Sequence, residues 1–238
     1  MRVALSLSAC GLVLLAALEC RAEVECLGIS SDGKHAVLLE HGVRDGSGFP
    51  WARATVLEAA RNVTVGKPFE VTLDGAAATD AAAVEQVKRA FEAARAALTV
   101  GPLRACREIA HDEKGGLTER SGVPIGTVQI TTRKARRTEA ANSCAAPFSP
   151  LLLSVKLYWM DDDRPANLLL DKKVPKDRAC LSGCVLGKVF TEGTTGLFVL
   201  QCGAPGFEGP GTRSVPIAVK LLYGMDEDLP GSDAKPSQ

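Results

Sequence analysis

The sequence predicts a mainly β fold of the α+β class, with one amphipathic helix packed on antiparallel sheets that disulfide bonds hold together. Nine short apolar or alternating segments, separated by Gly, Pro, Asp or Asn, are typical of strands in such sheets. One longer segment has helical periodicity, and six cysteines follow a predicted export signal. The expected organisation is a signal peptide over 1–22, a single β-rich domain over 23–226 and a disordered tail over 227–238.

The N-terminus has the form of an export signal. Arg2 gives a basic start, a 16-residue apolar run follows, and Cys20 and Ala22 place small side chains where a signal peptidase reads them. Cleavage after Ala22 leaves a mature chain that begins at Glu23, in the periplasm or outside the cell. A membrane anchor is the alternative, but 16 residues are short of the roughly 20 that span a bilayer. A lipoprotein signal fits less well, because Cys10 lies inside the apolar run and Cys20 follows a glutamate.

The first two strand segments, 34–41 and 53–59, flank a loop that reads HGVRDGSGFPW. Its distinctive residues are Asp45, Gly46, Gly48 and Pro50, and the glycines supply backbone angles that other residues avoid. A calcium loop needs more oxygen ligands at alternating positions, and a phosphate cradle needs a lysine and a following helix. The segment is therefore expected to be a structured connection between paired strands.

Residues 79–98 are expected to form the helix. Its apolar positions recur at steps of three and four and include Val84, Val87, Phe91 and Leu98. Thr79 or Asp80 is suited to cap its start, and Gly101 with Pro102 ends it. A helix on a membrane surface is the alternative, but both signs of charge are mixed on the polar side, which favours packing on a sheet.

The remaining strand segments follow the same rules of alternation and punctuation. Residues 151–160 place Leu153, Val155, Leu157 and Trp159 on one face, as expected for a half-buried strand. The other predicted strands are 69–73, 126–132, 167–171, 184–190, 196–202 and 217–223. The acidic sequence MDDDR at 160–164 lies between two of these strands and is interpreted as a solvated turn.

An exported chain can oxidise its cysteines. Cys10 and Cys20 leave with the signal, and six cysteines remain, enough for three bridges. They are Cys26, Cys106, Cys144, Cys180, Cys184 and Cys202. The close pair at 180–184 also raises the question of zinc, but zinc sites usually need a second close pair or histidines. No metal and no cofactor is therefore expected.

The hairpins narrow the choice of cysteine pairs. Cys144 and Cys180 lie 18 residues either side of Asp162, and Cys184 and Cys202 lie nine residues either side of Gly193. Facing residues of antiparallel strands are close enough for a disulfide. These two bridges are therefore expected, and elimination leaves Cys26 with Cys106. The main rival joins Cys180 to Cys184.

Charge argues against a nucleic-acid partner. The 28 basic and 28 acidic residues become 26 and 27 once Arg2, Arg21 and Glu19 leave with the signal, a formal net charge of −1. Nucleic-acid binding calls for a strong basic excess. The one basic cluster, RKARR at 133–137, has no aromatic partners for stacking bases and is interpreted as a solvated loop rather than a contact for phosphate or anionic lipid.

Three stretches resemble a known family. Residues 28–74, with the signature DGSGFP, residues 168–187, and residues 204–219, with the signature PGFEGP, resemble the bacterial proteins grouped as domain of unknown function 2259. That family is described only as predicted secreted proteins, so the resemblance implies export and no activity, cofactor or catalytic residue. The chain departs from the family pattern in its extra cysteines, notably Cys184, and thus in its bridges.

A smaller resemblance concerns one hairpin. Residues 29–40 and 52–62 are similar to a blade hairpin of the periplasmic TolB-like propellers, with a DGK turn leading into a strand. A propeller needs at least four such units, and the sequence has one. The resemblance therefore implies a shared local hairpin and not a shared fold.

No catalytic motif is present. The chain lacks HExxH, GxSxG, a P-loop and a dinucleotide fingerprint. His35 and His41 fall on one face of a strand but roughly 20 Å apart, too far to share a metal or a proton, and His111 is remote in sequence. The sequence thus favours an exported binding or envelope-associated protein, without catalytic, cofactor or metal residues, whose partner is an envelope protein or glycan. The alternative is a hydrolase acting on an envelope glycan through carboxylates that the sequence does not reveal.

Overall fold

The structure is a computed structural model that describes residues 22–44, 46–75, 77–119, 121–134, 144, 148–160, 165–171, 180–205 and 210–221. It is mainly β, with antiparallel sheets and one helix, which confirms the predicted fold class. The described elements begin with β1 (Glu23–Ser30), β2 (His35–Val43), β3 (Pro50–Glu58), β4 (Val63–Thr64), β5 (Phe69–Thr72) and α1 (Asp80–Ala94). Short strands follow: β6 (Leu103–Arg104), β7 (Arg107–Glu108), β8 (Ala110–His111) and β9 (Gly116–Thr118). The remaining strands are β10 (Pro124–Lys134), β11 (Leu151–Trp159), β12 (Ala166–Leu170), β13 (Ser182–Glu192), β14 (Thr195–Pro205) and β15 (Pro210–Lys220).

These strands form three sheets that stack on one another. The first sheet has the order β4-β3-β2-β1-β6, with β5 also paired to β3. The central sheet has the order β15-β14-β13-β7, and the third sheet has the order β12-β11-β10-β9-β8. Every neighbouring pair of described strands is antiparallel.

The central sheet is buried on both faces. Along β14, Leu197 and Val199 pack against the first sheet, whereas Phe198 and Leu200 pack against the third. A strand covered on both sides needs apolar residues at consecutive positions, because both sets of side chains leave water. This explains why β14 reads as an almost unbroken apolar run, GLFVLQC, instead of alternating.

The helix covers the outer face of the first sheet. Val87 and Phe91 are fully buried against Val37 and Leu39 of β2, and the Thr79 side chain accepts a hydrogen bond from the Ala82 N–H at the helix start. The helix ends at Ala94 rather than at the predicted residue 98, and a turn follows in which Thr99 has a φ of +57°. Val84 and Leu98, predicted to be buried, are half-buried members of the same cluster.

The loop between β2 and β3 combines two glycines of positive φ with a closing backbone hydrogen bond. Gly46 and Gly48 have φ values of +76° and +68°, in the left-handed region that favours glycine. The Arg44 N–H donates to the Phe49 carbonyl at 2.9 Å, which closes the loop. Pro50 begins β3 opposite Val43 of β2. Asp45 lies outside the described residues.

The six cysteines form three bridges, Cys26–Cys106, Cys144–Cys180 and Cys184–Cys202. Cys184 and Cys202 lie directly opposite each other on β13 and β14, with Cα atoms 4.1 Å apart. Cys26 of β1 is bonded to Cys106, which lies between β6 and β7. Cys144 is bonded to Cys180, which lies just before β13 of the central sheet. These are the pairs predicted from the hairpins and by elimination, and the rival Cys180–Cys184 bridge does not occur.

Other predicted features lie partly outside the described residues. Arg133 and Lys134 form the exposed end of β10, and the rest of the basic run 133–137 is not described. Met160 is exposed at the start of the predicted acidic turn. Residues 161–164 of that turn and the predicted tail at 227–238 lie outside the described residues. The described part of the chain contains no helix that is long and apolar enough to cross a membrane.

Candidate functional site

A buried histidine lies on the helix side of the first sheet. His41 belongs to β2, and its side chain projects from the same face as Val37 and Leu39, which pack under α1. It lies near the N-terminal end of the helix, and 7% of the residue is exposed. Burial of an imidazole costs free energy unless its ring nitrogens find partners, so its surroundings decide what it can do.

Three carboxylates surround this imidazole. Asp80, the first residue of α1, places its Oδ2 atom 2.6 Å from Nδ1 of His41. On β1, Glu25 places Oε1 3.5 Å from Nε2, and Glu23 places Oε2 4.0 Å from the same nitrogen. We call Glu23, Glu25, His41 and Asp80 the His41 cluster.

The local sequence explains why these residues meet. Glu23 pairs with His41 across the β1–β2 ladder, and Glu25 lies two residues along β1, so both glutamates project from the face that carries the imidazole. Asp80 joins them because the Thr79 cap starts the helix at that point. The opposite face of β1 carries Val24 and Cys26, which pack toward the central sheet.

The two ring nitrogens of His41 have different surroundings. Nδ1 donates to Asp80, which fixes the ring orientation and turns Nε2 toward the glutamates. No hydrogen bond within the described part of the chain reaches Nε2, and no described lysine or arginine forms an ion pair with Glu23, Glu25 or Asp80. Negative charge therefore converges on one nitrogen without a basic side chain to balance it.

The other histidines do not belong to this cluster. His35 lies on the same strand but six residues away, and its backbone N–H donates to the Ser30 hydroxyl at 2.9 Å. The Nε2 atom of His111 lies 2.9 Å from the Gly187 carbonyl, a contact that ties β8 to the central sheet. Each of these two histidines therefore has surroundings of its own, apart from the His41 cluster.

A second feature is a polar groove between the first and central sheets, with a volume of about 560 Å³. Its floor holds Glu40, 4% exposed, whose Oε2 atom accepts from Nε and Nη2 of Arg53 at 3.0 and 2.6 Å. Its polar lining consists of Glu40, Arg53, Thr55, Asn62, Thr64, Arg213 and Ser214. We call it the Glu40 groove. Glu40 precedes His41 on β2, so the groove and the His41 cluster lie on opposite faces of the first sheet.

Sequence reasoning found neither feature. The residues it singled out are structural: the six cysteines are bridged, and Gly46, Gly48 and Pro50 shape a hairpin. The His41 cluster joins residues far apart in the chain, and its one local signal is the pattern EVE at 23–25, which places two carboxylates on one face of a strand.

Comparison with known proteins gives one match. No curated protein and no solved structure is significantly similar to the chain. The family model of domain of unknown function 2259, described as predicted secreted protein, matches residues 37–220, which is well over half of the chain. The matched region begins inside β2, continues to the end of β15, and includes His41 and the Glu40 groove. The chain therefore belongs to the domain of unknown function 2259 family of predicted secreted proteins.

Proposed function

We propose that the mature protein begins at Glu23, folds as a single domain outside the cytoplasm and acts there as a non-catalytic binding protein of the cell envelope. Two observations support the location. Strand β1 begins at Glu23, immediately after the predicted cleavage site. The three disulfide bonds are of the kind that persist in oxidising compartments such as the periplasm.

We place the ligand in the Glu40 groove. The observation that carries this proposal is the Glu40–Arg53 pair. Glu40 is only 4% exposed on the floor of the groove, and its carboxylate accepts two hydrogen bonds from the Arg53 guanidinium. Burying the Glu40 carboxylate has a desolvation cost that an apolar residue would avoid, so its presence there is better explained by recognition than by stability. The volume falls within the range of small-molecule sites.

The chemistry of the lining indicates a sugar. Arg53 supplies donors, Glu40 supplies an acceptor, and the Thr55 and Ser214 hydroxyls do both. Neighbouring hydroxyls of a pyranose ring donate and accept in the same way, and envelope glycans are rich in such rings. The ligand class proposed is therefore a short oligosaccharide of an envelope glycan.

The glycan hydrolase considered as the alternative is not proposed. Glycoside hydrolysis ordinarily uses two carboxyl groups that flank the scissile bond, about 5 to 10 Å apart. Within the described lining of the groove, Glu40 is the one carboxylate. Because the Oε2 atom of Glu40 accepts two hydrogen bonds from the Arg53 guanidinium, the arrangement suits binding and not proton transfer.

Binding is tested by titrating the mature chain with the muramyl disaccharide and with chitotriose, using calorimetry. The double variant Glu40→Gln with Arg53→Gln removes the charge of the pair, and we expect it to weaken binding at least tenfold. The matched control is Glu58→Gln with Arg61→Gln, which removes a similar pair outside the groove. Equal affinity in both double variants, or no heat with either sugar at millimolar concentration, would overturn the proposal.

A further inference from the structure

We propose that the His41 cluster binds one divalent transition metal ion, with Zn²⁺ as the ion that fits best. The ligands are Nε2 of His41 and one carboxylate oxygen from each of Glu23 and Glu25. Asp80 is a positioning residue that holds the imidazole through Nδ1. This site is independent of the Glu40 groove, from which the first sheet separates it.

The first argument is the state of His41. Its side chain is nine-tenths buried, yet Nε2 has no hydrogen bond among the described residues and points between two carboxylates at 3.5 and 4.0 Å. Those distances are longer than an ordinary hydrogen bond of about 2.9 Å, so neither glutamate satisfies the nitrogen. A ring nitrogen that makes no hydrogen bond and faces two oxygen ligands is arranged as it would be around a cation.

The second argument is the contact between Asp80 and His41. A histidine that ligates a metal almost always donates its other ring N–H to a carboxylate or carbonyl, which fixes the tautomer and strengthens the ligand. The 2.6 Å contact from Nδ1 to Asp80 is such a contact. It leaves the lone pair of Nε2 directed at the space between Glu23 and Glu25.

Geometry allows the three ligands to close on one ion. Their ligand atoms all lie within 4.8 Å of one another. A tetrahedral ion with bonds of about 2.1 Å needs ligand atoms roughly 3.4 Å apart, so a closure of about 1.5 Å is required. Glu23 and Glu25 can provide it by rotating their side chains, because these are 65% and 49% exposed, while His41 stays fixed by Asp80.

The donor set selects the class of ion. One imidazole with two carboxylates suits Zn²⁺ and its first-row neighbours, whereas Ca²⁺ and Mg²⁺ prefer oxygen ligands alone. The thiolates that would favour soft ions are absent from this site, because all six cysteines from Cys26 to Cys202 are bridged. The described ligands leave a fourth tetrahedral position for water or for an atom of a bound partner.

The test uses the mature chain from Glu23, with a cleavable tag without histidines at the C-terminus so that the N-terminus is native. The chain is stripped with chelator and dialysed against micromolar Zn²⁺, and the bound metal is measured by mass spectrometry. We expect one ion per chain. In ¹⁵N spectra of the histidine rings, Zn²⁺ should shift Nε2 of His41 and leave His35 and His111 unchanged.

Two ligand variants and one control decide the outcome. Glu25→Gln removes a ligand from an exposed side chain and should fold normally, and His41→Gln removes the imidazole; each is expected to weaken Zn²⁺ binding at least tenfold. Glu85→Gln removes an exposed carboxylate from α1 and should change nothing. Less than one ion per ten chains at micromolar Zn²⁺, or equal affinity in Glu25→Gln and the wild type, would overturn the proposal.

Discussion

Replacing Phe91 by alanine tests the contact between the helix and the first sheet. Phe91 is completely buried in the cluster that includes Val37 and Leu39, and its ring meets Phe69 edge to face, with centroids 5.9 Å apart and planes at 78°. Emptying a buried aromatic site costs about 3 to 5 kcal/mol, and the lost aromatic contact makes up about 0.5 to 1.5 kcal/mol of that sum. We expect the free energy of unfolding to fall by about 4 kcal/mol.

The assay is equilibrium unfolding in urea, followed by circular dichroism on the oxidised mature chain. The control is Glu92→Ala, one residue along the helix on its exposed side, where an ion pair with Arg95 at 2.9 Å contributes at most about 0.5 kcal/mol. Equal losses from Phe91→Ala and Glu92→Ala would refute the assignment of the buried helix face. A loss below about 1 kcal/mol from Phe91→Ala would show that the site is not a packed core.

Two further predictions concern turns. Gly46→Val and Gly48→Val should each lower the free energy of unfolding by about 1 to 2 kcal/mol, because both positions have positive φ; melting temperatures equal to the wild type would show that the loop is not rigid. In the β1–β2 turn, hydrogen bonds from the Ser30 hydroxyl and the Lys34 N–H lower the pKa of Asp32 from 3.8 to about 2. A carboxyl with a depressed pKa stabilises the fold above about pH 4, and this contribution is lost as the pH falls toward 2. In Asp32→Asn the free energy of unfolding should therefore fall less steeply between about pH 4 and pH 2 than in the wild type. The same pH dependence in both proteins would contradict the lowered pKa of Asp32.

The elements that sequence could predict are those with local signals. The helix was visible because Val87 and Phe91 lie at helical spacing, and the bridge between Cys184 and Cys202 because the two cysteines lie symmetrically about one turn. Such patterns involve neighbours along the chain, so periodicity and hairpin geometry are enough. Helix ends are set by capping and tertiary contacts, which explains the four-residue difference between the predicted end at 98 and Ala94.

The His41 cluster and the Glu40 groove could not be predicted, because they depend on strand register and on how the sheets pack against one another. Strand β1 was not predicted, so nothing placed Glu23 opposite His41, and the start of α1 brings Asp80 to the imidazole only in three dimensions. The Glu40 groove likewise exists only where β15 of the central sheet lies beside β3. In both cases the sequence shows which residue types are present, but only the packing of distant segments determines which of them lie close together.

The order of the sheets in space differs from their order along the chain. The central sheet is formed mostly by β13 to β15, at the end of the chain, although it lies between two sheets whose strands come earlier. When the chain leaves the cytoplasm N-terminus first, both earlier sheets emerge with their inner faces, including Leu38 and Val155, still in water. Burial of those faces has to wait for the last strand, so folding becomes a late and cooperative step of the whole chain.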